Sequence, residues 1–332
     1  MITFTKKRLN DLFQCFRKQK IVVVGDLMLD QYLWGSMSRI SPEAPVPVVD
    51  IQSESFRFGG AANVCFNVKT LGAEVIPIGV IGGDQYGTVL KDLFEENGLV
   101  TDGIFVDKDR PTTLKTRIIA HSQHVVRTDR EIRLGLSKAV QNKILTFIQA
   151  HINDFGGIIL EDYNKGVLSA RLIQEITKLA QQHHKMVFVD PKRDHFFDYR
   201  EATLFKPNRK EVADNLRMKL DSDADIIRAG EKIMNQLQCK AVLITLGEEG
   251  MMLFQPGKSS MKVPTRAVKV HDVSGAGDTV IATMAVSMIA GAALEEAATI
   301  ANHAAGIVCG EVGIVPIDRK QLLEDLLDVM ES

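Results

Sequence analysis

The chain has 332 residues, 45% hydrophobic and 25% charged, with 40 Lys and Arg against 42 Asp and Glu and a formal net charge of -2. These are the proportions of a globular enzyme with a large core, and the near-neutral charge gives no ground for nucleic-acid binding. The basic start, Met1 to Arg8, leads into no apolar run, and the longest apolar stretch, Val280 to Ala293, is short and Ala-rich, so neither a signal peptide nor a membrane span is expected.

Along the chain, short β-branched runs alternate with helix-period segments. Ile21–Val24, Val75–Val80, Ile158–Leu160, Met186–Val189 and Ala241–Ile244 are apolar throughout, as strands buried on both faces are. Helical segments such as Ser137 to Asn153 and Ser169 to His184 lie between them. The alternation predicts one α/β domain, residues 1–332, around a mostly parallel sheet. Ligands of such sheets bind at the carboxyl ends of strands, where Gly25-Asp26, Glu161-Asp162, Asp190-Pro191-Lys192 and Thr245-Leu246-Gly247 fall. Two segments break the pattern. Residues 34–58 are rich in Pro and Ser, and the prolines limit them to an edge strand. Residues 112–128 read as two strands, Thr113–Ala120 and His124–Thr128, around His121-Ser122-Gln123. Together they predict a small antiparallel flap. Cys15, Cys65, Cys239 and Cys309 show no metal-ligand spacing and are expected to be reduced thiols of a cytoplasmic protein.

Four stretches carry chemistry. Gly59-Gly60 with Asn63 is either a tight strand-to-helix turn or a place where a sugar nears the backbone while the amide bonds its hydroxyls. Asp30, just past the first strand, is either a solvated carboxylate or an acceptor for two sugar hydroxyls. Asn208 and Glu211 are three apart on one helical face; they can cap that helix, hold Mg²⁺ through water, or both. Gly275-Ala276-Gly277 turns into an apolar helix whose first N–H groups form an anion hole. Asp278 beside it would repel phosphate as a ligand, but suits a base that takes the proton of an attacking hydroxyl; the alternative is a helix cap. Arg39, Lys115, Arg117, Arg127, Lys165 and Lys192 lie in or near this region, with Arg127, Lys165 and Lys192 favoured as phosphate-binding cations. There is no G-x-x-x-x-G-K-[ST] loop and no protein-kinase signature, so something else must hold the phosphates, and the Gly275-Ala276-Gly277 turn is the best candidate.

Phe58–Val64, Lys206–Glu211, Thr245–Gly250 and Asp272–Thr279, in this order, resemble the PfkB family of ribokinase-like carbohydrate kinases across essentially the whole chain. The resemblance implies a three-layer α/β/α ribokinase-like fold with a β lid that covers the sugar, ATP and Mg²⁺ as cofactors, and a monovalent cation as a further one. It implies Asp278 as catalytic base, with the anion hole at Gly275, Ala276 and Gly277. On the sugar side it places Asp30, Gly59, Gly60, Asn63, Arg127, Asp162 and Lys165, and on the nucleotide side Lys192, Asn208, Thr245, Gly247, Gly250 and Asn302. Gly25–Tyr32, Ser38–Val49 and Asp162–Gly166 resemble the branch of the family that phosphorylates D-glycero-D-manno-heptose 7-phosphate in lipopolysaccharide core synthesis. That implies a homodimer through the flap. It also implies a kinase without the nucleotidyltransferase often fused to this branch, since the chain ends at Ser332. The alternatives are a family kinase for ribose, fructose or a hexose phosphate, or a sugar-binding regulator that has lost catalysis.

Overall fold

The computed structural model describes residues 4–121, 123–265, 272–311 and 313–331. Helix α1 (Lys6–Phe16), capped by the Thr5 hydroxyl, leads into β1 (Lys20–Gly25). Then come β2 (Leu27–Ile40), β3 (Pro47–Gly60), α2 (Ala61–Thr70), β4 (Glu74–Gly82), α3 (Gln85–Glu96), β5 (Ile104–Asp107), β6 (Thr113–Ala120) and β7 (Gln123–Arg130). The middle holds α4 (Lys138–His151), β8 (Gly157–Glu161), α5 (Ala170–Gln182), β9 (Met186–Asp190), β10 (Leu204–Phe205), α6 (Arg209–Leu216) and α7 (Asp223–Leu237). The last third holds β11 (Val242–Thr245), β12 (Met251–Phe254), β13 (Met261–Val263), α8 (Ala276–Ile289), α9 (Leu294–Cys309) and α10 (Arg319–Glu331).

A nine-stranded sheet runs in the order β13-β12-β11-β10-β9-β8-β1-β4-β5, parallel except at one edge, where β12 pairs antiparallel with both β11 and β13. Alternation along β1 shows why its run is apolar throughout: Ile21 and Val23 enter one core, with α2, α8 and α9, while Val22 and Val24 enter the other, with α4, α5 and α7. The sequence reading missed β5, β10, β12 and β13, which have two to four residues each, too few to show a period.

The flap is a second sheet, in the order β3-β2-β6-β7. It is mixed rather than antiparallel, because β2 and β6 run parallel. Between β3 and β6 the chain passes through α2, β4, α3 and β5 of the main layers, so β6 re-enters the flap in the direction of β2. β3 is an edge strand that begins at Pro47, as the prolines require.

Candidate active site

The carboxyl ends of β9 and β11, the loop after β8 and the start of α8 converge on a cleft of about 800 Å³ lined by Tyr163, Asp190, Lys192, Lys206, Thr245, Gly275 and Asp278, among others. Helix α8 opens at Gly275, whose φ of 80° is left-handed. A Cβ there would also lie 3.0 Å from the Asn63 amide nitrogen, so the turn requires glycine on two counts. Asp278 follows in the first turn and is 3% exposed. Asn63 Nδ2 donates to its Oδ2 at 2.7 Å, and the Tyr163 hydroxyl donates to its Oδ1 at 2.8 Å. Burial raises Asp278 to about 6; the Asn63 bond opposes this, Asp190 adds to it, and the Tyr163 bond and Lys192 oppose it.

Asn63 is held by packing at the start of α2, where Gly60 has a φ of 54°. Asn67, one turn on and fully buried, donates to the Asn63 carbonyl at 2.9 Å. It accepts from the Thr279 hydroxyl at 3.1 Å and from the Ile317 amide at 3.0 Å. This ties α2 to α8 and so keeps Asn63 on Asp278.

Across the start of α8 stand two lysines. Lys206 Nζ lies 2.8 Å from Asp190 Oδ2; Lys192 Nζ lies 3.4 Å from Asp190 Oδ1 and 2.9 Å from Glu211 Oε1. Lys192 also sits 4.8 Å from the centre of the Tyr163 ring. Burial would raise Asp190, but Lys192 and Lys206 outweigh it and hold the carboxyl below its ordinary range. Burial would lower Lys192, but Asp190, Glu211 and Glu161 raise it, so both groups are charged at neutral pH. A Cβ on Gly277 would come within 3.5 Å of Lys206 Nζ, so the glycine turn and the ammonium face one space. An anion there meets a helix N-terminus on one side and two ammonium groups on the other.

The pfkB carbohydrate kinase family profile matches residues 18–319. The chain belongs to the pfkB family of carbohydrate kinases. It is 44% identical over 295 residues to the bifunctional protein HldE of Helicobacter pylori strain J99, covering 89% of this chain and 64% of that protein. It is 41% identical over 321 residues to the bifunctional protein HldE of Geotalea uraniireducens strain Rf4, covering 97% and 66%. The chain thus spans just under two thirds of the length of these relatives. Its fold is similar to that of Arabidopsis thaliana ribokinase complexed with ribose and ATP (TM-score 0.74, 21% identity, 93% of this chain and 98% of that chain). It is also similar to phosphofructokinase-2 from Escherichia coli in complex with potassium (TM-score 0.77, 18% identity, 95% and 99%).

In this pfkB kinase the residues expected in the site fall into three groups. Gly275, Ala276, Gly277, Asp278, Lys192, Asn208, Glu211, Thr245, Gly247, Gly250 and Asn302 line the cleft. Asp30, Gly59, Gly60 and Asn63 adjoin it at the root of the flap. Asp30 is buried in an ion pair with Arg117, and a Cβ on Gly59 would overlap its carboxylate. Asp162, Lys165 and Arg127 stand differently. The Asp162 carboxylate is buried and accepts from the Tyr199 hydroxyl at 2.7 Å and the Asn164 amide at 2.7 Å. Lys165 is buried against Glu131 at 2.5 Å. Arg127 is exposed opposite Arg117 on the flap and engages Asp129 at 3.0 Å. Tyr163, Asp190, Lys206 and Glu161 received no role from the sequence. The signal for three of them was present, since Glu161 and Asp190 end apolar strands and Lys206 opens the Lys206-Pro207-Asn208 stretch.

A divalent cation fits one part of this site. Both Glu161 oxygens are buried without a hydrogen-bond partner among the described residues. Glu161, Asp190 and Asp278 each offer a carboxylate oxygen, all within 4.8 Å of one another. Burial, then Asp190 and Asp278, push the Glu161 carboxyl well above its ordinary range, as expected where negative charge is uncompensated. Asn208 and Glu211 are more occupied. They form a capping box, with Asn208 Oδ1 accepting from the Glu211 amide at 2.8 Å and Glu211 Oε2 from the Asn208 amide at 2.8 Å, while Glu211 Oε1 meets Lys192.

Proposed function

We propose that this kinase transfers the γ-phosphoryl group of ATP to the anomeric hydroxyl of D-glycero-β-D-manno-heptose 7-phosphate, forming the 1,7-bisphosphate and ADP. The observation that carries the transfer is the pairing of Asp278, oriented and raised to about 6, with the cationic, helix-terminal space beside it. As the anomeric oxygen bonds to the γ-phosphorus and the bond to the ADP oxygen breaks, the hydroxyl proton passes to Asp278. The amides at the start of α8, Lys206 and Lys192 face the charge that builds on the phosphoryl oxygens. Glu161 and Asp190 would hold Mg²⁺, with Glu211 acting through water; the ion, when bound, neutralises phosphate charge. The ion would also relieve the buried, unpaired Glu161.

The choice of sugar phosphate is supported by the Gly25–Tyr32, Ser38–Val49 and Asp162–Gly166 stretches and by the likeness to the two bifunctional proteins. Cations at the flap and its root, among them Lys115, Arg117 and Arg127, suit a phosphorylated sugar better than a neutral one. The flap carries exposed Met37, Ile40, Val46, Ile51 and Val126, so two flaps paired about a twofold axis would cover these side chains and close each site. We place the reaction in the cytoplasm, where ATP and sugar phosphates are available; among the described residues no helix is long and apolar enough to cross a membrane.

ADP release with a panel of sugars and sugar phosphates tests the substrate. The heptose 7-phosphate should exceed free heptose, ribose and fructose by at least about tenfold in kcat/KM, since one charge-assisted bond is worth roughly 1.5–3 kcal/mol. Efficient turnover of a neutral sugar with the heptose phosphate poor would overturn the assignment and leave the kinase class intact.

A further inference from the structure

The loop from Glu161 to Val167 is built to hold one side chain still. Asp26, 1% exposed at the end of β1, accepts backbone N–H bonds from Tyr163 at 2.8 Å, Lys165 at 3.0 Å and Val167 at 3.1 Å. Asn164 and Gly166 take left-handed φ values of 55° and 91°, which these two residue types adopt readily and which turn the loop back under Asp26. A Cβ on Gly166 would overlap the Leu134 carbonyl, so the loop is clamped on its other side as well.

The clamped side chain is Tyr163. Its hydroxyl reaches Asp278 Oδ1, and its ring lies 4.8 Å from Lys192 Nζ and 6.0 Å from Lys115 Nζ. A carboxylate turns easily about its last torsion, which is broad and twofold. Asn63 on Oδ2 alone leaves that torsion loosely defined; a second donor on Oδ1, from another element, defines the carboxylate plane. Each carboxylate oxygen has two lone-pair sites, so the two donors still leave one free on each oxygen for a substrate proton.

We infer that Tyr163, on the loop anchored by Asp26, is a positioning residue that fixes the Asp278 carboxylate toward the acceptor hydroxyl. The inference rests on Asp278 being the base. The phenol neither donates to nor accepts from substrate; it sets the direction of the oxygen that does.

The test compares Tyr163→Phe, Asp278→Asn and the double variant with the unaltered enzyme, using ATP and the sugar phosphate that turns over best. Tyr163 is half-buried, so Phe keeps the ring and its packing, and melting temperatures should agree within a few degrees. Tyr163→Phe should lose about tenfold in kcat while both KM values stay within about twofold, as expected when geometry and not affinity is lost. In the Asp278→Asn background the same change should alter kcat by less than about twofold, since Tyr163 would have nothing left to orient. A Tyr163→Phe kcat within about twofold of normal, a loss confined to KM, or an equal loss in both backgrounds would overturn the inference. If Asp278→Asn itself keeps more than about a tenth of normal turnover, the base assignment fails instead.

Discussion

Asp278→Asn separates catalysis from stability in a way the structure makes quantitative. The carboxyl is 3% exposed and sits at about 6 against an ordinary 3.8. Raised by roughly two pH units, the ionised group destabilises the fold by about 3 kcal/mol at pH 8, at about 1.4 kcal/mol per unit. The sign follows from linkage. Below pH 3.8 the group is protonated in folded and unfolded chains and the penalty is absent; it grows as pH rises and is complete above about 6. Asn has the same shape without the charge, so this penalty disappears. Against that stands one charge-assisted bond, because the new amide group can accept from only one of Asn63 and Tyr163; its loss costs about 1.5–3 kcal/mol. At pH 8 the variant should therefore be as stable as the parent or slightly more so, with a melting temperature unchanged or a few degrees higher. Turnover at saturating substrates should fall about 10²–10⁴-fold. Calorimetric melting at pH 8 beside ADP release gives both numbers. Destabilisation by more than about 2 kcal/mol would show a structural role for the carboxylate, and turnover above about a tenth of normal would refute its role as base.

Since Asp278 acts when ionised, kcat/KM should rise with pH through about 6 and then level; a profile flat from pH 5 to 8 would contradict the burial argument. Glu161→Gln should raise the Mg²⁺ concentration for half-maximal rate several-fold and weaken Mn²⁺ binding seen by magnetic resonance, with Glu211→Gln weaker in both because it acts through water. Unchanged metal titrations for Glu161→Gln would remove it from the metal site. Val46→Glu with Val48→Glu should shift the flap-paired dimer toward monomer and lower activity with it. A fully active monomer at micromolar concentration, seen by light scattering, would rule that pairing out.

The layers were legible in the sequence because buried parallel strands are short, β-branched runs that are apolar at every position, set between helix-period segments. Ile21–Val24 is apolar at every position since each face meets its own core. The Gly275 turn and Asp278 were legible because a helix N-terminus with two glycines has few uses. The flap was readable as an interruption, but its mixed pairing was not, since strand direction depends on where the intervening chain travels. Lys165 and Asp162 show the same limit at the site. Both lie in a suggestive stretch, yet one is buried on Glu131 and the other serves Tyr199. Spacing along a chain says which residues are near one loop, but not which way each side chain turns. Tyr163 gained its meaning only from folding. Tyr163 stands 115 positions from Asp278 and meets it because the carboxyl end of β8 and the start of α8 meet at the same cleft. Local sequence determined where strands, turns and helix starts would form, through propensity and backbone freedom. Which donor meets which carboxylate was decided by the packing of α2, α8 and the Asp26-anchored loop against one another, because a hydrogen bond depends on distances of a few ångströms that no sequence separation encodes.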